Sequence, residues 1–177
     1  MGQAKQRGSL EDRIKQVKMA VCIHEAGHAF FYYAAAGKEC IDIATTDMTQ
    51  IAREEFGISP SMANSFSKAA NGAVVVKRKE FYRKASDNEL AIAMFGGAAA
   101  EIAILKVKRE DAYKHGVYDF LQTNVRKEFS RDFCDAVAET LSKKPKQIAI
   151  IKKIAESLFE KTTITGEEIG EIIEQSK

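Results

Sequence analysis

Residues 9–37 carry both ends of one long helix in their own sequence, and no other segment constrains the fold as strongly. Ser9-Leu10-Glu11-Asp12 places an N-cap serine three residues before an acidic side chain, the pattern of a capping box. Ile14, Val17, Val21 and Phe31 then fall on a three-four periodicity, and His24 and His28 lie on the same stripe. Gly37 follows as a favoured helix stop. The spacing predicts a helix from about residue 10 to Ala36.

That helix carries His24-Glu25-Ala26-Gly27-His28. Side chains at i and i+4 share a helix face, so two histidines at this spacing can aim ring nitrogens at one ion. Glutamate at i+1 then sits beside the remaining coordination position. Zinc lowers the pKa of its bound water to ~7, and a nearby carboxylate can take the proton as water attacks a peptide carbonyl. The sequence holds only three histidines. The pattern would arise by accident in roughly one such chain in 300. The competing reading is two histidines packed on a helix face beside a solvated glutamate.

A peptidase zinc needs a third protein ligand. Phe31 and Ala34 stand where the compact HExxHxxGxxH pattern would have Gly and His. Spacing leaves Glu54, Glu55, Glu101, Asp111, Asp119 and His115 open for this role.

The remaining elements read more briefly. Cys40 to Ala44 alternates like a short strand, and Ala73 to Val76 is a β-branched run after the turn signal Asn71-Gly72. Residues 45–70 are ambiguous. Ser86-Asp87-Asn88-Glu89 is a second capping box, opening an apolar helix over about 87–106. Gly96-Gly97 lies inside it, at a cost of ~1 kcal/mol per glycine against alanine, and marks close packing or an irregularity. Further helices are expected from near Tyr118 to 128, over about 131–143, and from Pro145 through Leu158. Thr165-Gly166-Glu167-Glu168 is a third capping box, before a last helix to about Gln175. The fold class is therefore mainly α: a helical metallopeptidase domain with a small two- or three-stranded β-sheet beside the His24–His28 helix. Residues 1–8 form a flexible N-terminal segment. Residues 9–177 form one domain, with about 130–177 as a C-terminal helical subregion.

Composition narrows the function classes. The formal net charge is only +2 with 29% charged residues of mixed sign, so nucleic acid is not an expected partner. The N-terminus has no apolar run behind its basic residues, and no stretch approaches the ~20 apolar residues of a membrane span. Cys22, Cys40 and Cys134 are odd in number and lack CxxC spacing, which predicts reduced thiols in a cytoplasmic protein.

Four segments, in order and spread over about residues 10–175, together resemble the peptidase domain of the FtsH family of ATP-dependent zinc proteases. His24 to Ala29 matches that family's HEAGHA, and Gly96-Gly97-Ala98-Ala99-Ala100-Glu101 resembles its GGRAAE segment. His115-Gly116-Val117-Tyr118-Asp119 resembles its TGASND stretch, and Ala155 to Ile169 its closing LlexETLxgeEI pattern. The resemblance implies Zn2+ as cofactor, His24, His28 and Asp119 as ligands, and Glu25 as general base. It implies Glu101 as a hydrogen-bonding partner of a ligand histidine. Ala73, Val74 and Val75 fall where the family has an edge strand beside the active site, to which a polypeptide substrate could add. A homo-oligomeric ring is the family's assembly.

The departures also carry weight. Ala98 replaces the family's arginine, and the stretch between Gly116 and Asp119 is one residue short, which makes His115 a rival ligand. The sequence contains no ATPase module, so unfolding of substrates would need a separate ATPase partner. Two function classes follow. One is a zinc endopeptidase acting on unfolded or flexible polypeptides. The other is a non-catalytic binding or assembly module that keeps the fold, with or without the metal.

Overall fold

The computed structural model describes residues 9–52, 72–115 and 131–176. Helix α1 spans Leu10–Ala36, starting at a Ser9–Asp12 capping box and ending at Gly37, whose φ of 87° only glycine adopts without strain. Strand β1 is Ile41–Thr45 and β2 is Ala73–Val76. Helix α2 (Arg78–Lys84) follows, then α3 (Asp87–Ala100), which continues as a π-turn over Glu101–Leu105. Helix α4 is Arg109–His115. Then come α5 (Arg131–Ser142), α6 (Pro145–Lys161), strand β3 (Thr163–Thr165) and helix α7 (Gly166–Glu174).

The architecture is mainly helical with one small antiparallel sheet of order β2-β1-β3. Ala44 of β1 pairs with Val74 on one side and Ile164 on the other. Strand β2 lies at one edge of the sheet, beside α1.

The core forms between α1, α6, α7 and the sheet. Cys22, Ile23, Ala26, Ala29 and Phe30 of α1 meet Ile151, Ile154, Ala155 and Leu158 of α6. Ile41, Ala44 and Ile164 of the sheet and Ile169 and Ile173 of α7 complete this cluster. Each fully buried aliphatic side chain contributes about 1.5–3 kcal/mol of transfer free energy. Helix α3 packs along α1 and uses its other face to join α4 and α5, where Phe95 and Ala98 meet Ala112, Tyr113 and Cys134.

Three differences from the sequence reading have clear physical origins. Leu10, Ile14 and Val17 are exposed, because the first turns of α1 run beyond the elements it packs against. Among the described residues, the periodic stripe continues there without a core to face. Helices α2 and α4 were not foreseen. Each is seven residues long, too short for periodicity to announce it. Third, Asp87–Leu105 runs 19 residues at a mean hydropathy of 1.4, long and apolar enough by composition to cross a membrane. This corrects the expectation that no segment reaches that length. In the fold, 56% of its apolar window is buried within the protein, as in a core helix.

The helix expected from Tyr118, the N-terminal segment 1–8 and most of the ambiguous stretch 45–70 lie outside the described residues. Cys22, Cys40 and Cys134 are all buried, and none forms a disulfide.

Candidate metal and catalytic site

His24 and His28 face α3 at the point where the two helices cross most closely. The crossing is made by glycine. A Cβ on Gly27 would stand 2.3 Å from the Gly96 carbonyl oxygen and 2.7 Å from the Ala100 Cβ. A Cβ on Gly96 would meet the Gly27 carbonyl oxygen at 2.8 Å. Any side chain at either position would force the backbones apart. The two glycines give up helix propensity, and the approach they permit brings the histidines under α3.

Each imidazole is anchored at Nδ1. His24 Nδ1 donates to Glu101 Oε1 at 2.7 Å, and His28 Nδ1 donates to the Ala93 carbonyl at 2.8 Å. A carbonyl accepts only, and a carboxylate is an acceptor too, so both Nδ1 atoms carry the hydrogen. That assignment turns both Nε2 lone pairs toward each other, 3.1 Å apart. Two ring nitrogens at this separation can share a proton or a cation. Two nitrogens each 2.0–2.1 Å from one tetrahedral ion would stand ~3.3 Å apart, close to what the helix already provides.

The site is enclosed. His24, Glu25, His28 and Glu101 are the buried acidic and basic side chains among the described residues, each at most 9% exposed. Glu101 is the most deeply covered, at 3%. It opens the π-turn that extends α3, and a buried carboxylate at such a turn is tolerable because the imidazole N–H meets it. Glu25 lies on the sheet side of α1. A Cβ on Gly72 would come within 2.6 Å of its Cγ and 2.8 Å of Oε1. Gly72 immediately precedes β2, so the glutamate sits against the entry to the edge strand.

Of the residues named from sequence, His24, His28 and Glu101 are brought together by hydrogen bonds, and Glu25 is buried beside Gly72. Ala73, Val74 and Val75 form the adjoining edge strand, each half-buried. Asp119, Glu54 and Glu55 lie outside the described residues, as does the side chain of His115. Asp111 is exposed on α4 and paired with Lys114 at 3.3 Å. Among the described residues, no group of three or more His, Cys, Asp or Glu side chains is placed to hold a metal ion. The two imidazole Nε2 atoms are the pair of ring nitrogens that these residues bring together.

Sequence reasoning missed two contributors. The Ala93 carbonyl is backbone and leaves no trace in residue identity. Gly72 read only as half of a turn signal, although its missing side chain is what lets the chain pass Glu25. No protein-family model matches the chain, and a search of curated proteins finds no match.

Proposed function

We propose that this chain is a zinc-dependent endopeptidase domain of the FtsH peptidase type, acting on unfolded or flexible polypeptides. The observation that carries the reading is the pair of Nε2 atoms 3.1 Å apart, each set by a separate Nδ1 anchor. Two imidazoles each anchored at Nδ1 with Nε2 atoms close together suit a shared metal ion, and the buried Glu25 follows His24 on the same helix. His24 and His28 would hold Zn2+, with Asp119 as the third ligand by its resemblance to the family's aspartate. When bound, zinc supplies a Lewis acid that polarises the scissile carbonyl and acidifies water.

The chain's own groups do the rest. Glu25 accepts a proton from the attacking water at its carboxylate and delivers it to the departing amine as the C–N bond breaks. Glu101 fixes the tautomer and ring orientation of His24. The edge of β2 offers backbone N–H and C=O groups to an extended peptide, which suits a substrate recognised by its main chain. Gly72, just before that strand, lets the chain pack against Glu25 where a side chain would clash.

The test is metal content and cleavage with Glu25→Gln as control. Purified protein should hold one zinc per chain and cleave an unstructured polypeptide. The variant should keep the zinc and lose about 10²–10⁴-fold in rate. Protein without zinc, or cleavage that survives the substitution, overturns the proposal. Bound zinc with no cleavage of any unstructured polypeptide points instead to a binding or assembly module.

A further inference from the structure

Gly97 lies one residue beyond the helix crossing and has a different neighbour. A Cβ built on it would stand 2.5 Å from His24 Nε2 and 2.5 Å from His28 Nε2. No backbone atom is among its three nearest neighbours, in contrast to Gly27 and Gly96. We infer that Gly97 is a positioning residue whose missing side chain keeps open the space in front of both ligand nitrogens.

Side-chain ends often swing away from an added methyl at little cost. These two cannot do so cheaply. His24 is tied at Nδ1 to a carboxylate that is only 3% exposed, and His28 at Nδ1 to a backbone carbonyl of the same helix that carries Gly97. Turning either Nε2 away from residue 97 pulls Nδ1 off its anchor. The alternative is to widen the spacing of α1 and α3, which breaks the Gly27–Gly96 contact. A methyl at 97 thus competes for the place where a shared cation must sit. Glycine is used here for space. Its φ is unremarkable, and alanine would otherwise strengthen the helix.

The inference rests on the proposed metal reading for what enters the space, and on the ring anchors alone for the space itself. The experiment separates the two. Gly97→Ala is made in the full chain and, separately, in a His24→Ala/His28→Ala background, and melting temperatures are compared in metal-free buffer with chelator. With both imidazoles present the alanine should lower the melting temperature. Without them it should leave it unchanged or raise it, because the methyl fills the vacated volume. Equal loss in both backgrounds overturns the inference, whatever the metal content.

The second arm uses Zn2+ and Co2+ alone, without substrate. Gly97→Ala should weaken binding of both ions by about 10–100-fold, and change the visible Co2+ spectrum of the unsubstituted protein. Unchanged affinity and spectrum in the variant would sink the inference while leaving the peptidase proposal standing. If the unsubstituted protein binds neither ion, the peptidase proposal falls, and the melting cycle alone decides the role of Gly97. Should Gly97→Ala fail to fold, the triple variant still reports: folding restored by removing the imidazoles supports the inference, and continued failure overturns it.

Discussion

Glu101 accepts a hydrogen bond from His24 at 2.7 Å across 77 residues of sequence, and both partners are buried. This bond ties the end of α3 to the middle of α1 and leaves the His24 Nε2 lone pair pointing at His28. Glu101→Gln keeps the shape but can present an amide N–H to the ring and so release the tautomer. Zinc affinity should fall about 10–100-fold, read by competition with a chromogenic chelator. An unchanged affinity would show that Glu101 serves folding alone.

Gly27→Ala tests the helix crossing. The new methyl would stand 2.3 Å from a backbone oxygen, which cannot rotate away. Alanine gains ~1 kcal/mol in helix propensity, but overpacking of this kind costs about 1–3 kcal/mol and here displaces backbone. A net destabilisation is expected as a lower denaturant midpoint with the slope unchanged. Stabilisation would mean that α1 and α3 separate easily.

Ser86→Ala removes the cap of α3. The Ser86 hydroxyl accepts from the Glu89 N–H at 3.3 Å, and the Glu89 carboxylate accepts from the Ser86 N–H at 2.8 Å. Loss of the hydroxyl acceptor, with the Glu89 carboxylate still able to accept from the residue-86 N–H, should cost about 1 kcal/mol, measured by chemical denaturation. Metal binding should be unaffected, since Gly97 and Glu101 lie well past the first turn.

Glu168 supplies an acid-sensitive contact. The Lys161 ammonium, and after it the Thr165 backbone N–H, hold its carboxyl below the usual 4.5. A carboxyl with a depressed folded-state pKa contributes stability above its unfolded value and loses it as pH falls through the folded one. Between about pH 7 and about pH 3, Glu168→Gln should therefore lose less stability than the unsubstituted protein. A parallel loss in both proteins would remove Glu168 from the acid response.

The legible parts of this fold are those whose physics is local. All three capping boxes, at Ser9, Ser86 and Thr165, form with both hydrogen bonds in place. Gly37 ends α1 at the expected residue, and Ala73–Val76 is a strand. Convergence of His24 and His28 follows from the i, i+4 spacing on any helix. What stayed hidden depends on distant partners. β3 is three residues long and exists because β1 supplies its hydrogen bonds. The Ala93 carbonyl acts through position alone. The π-turn at Glu101 has no residue signature, although Gly96-Gly97 did signal a close approach nearby.

The meeting of Gly27 with Gly96 bears on how interchangeable the inner letters of His-Glu-x-x-His can be. Ala26 is completely buried in the core, and Gly27 touches α3 backbone to backbone. A leucine or lysine at position 27 would preserve every donor atom of the motif and still lift the imidazoles away from Glu101 and Ala93. In this chain the pentapeptide is also a ruler for helix separation. A transplant of the five residues would work only into a host helix whose neighbour also lacks a side chain at the facing position.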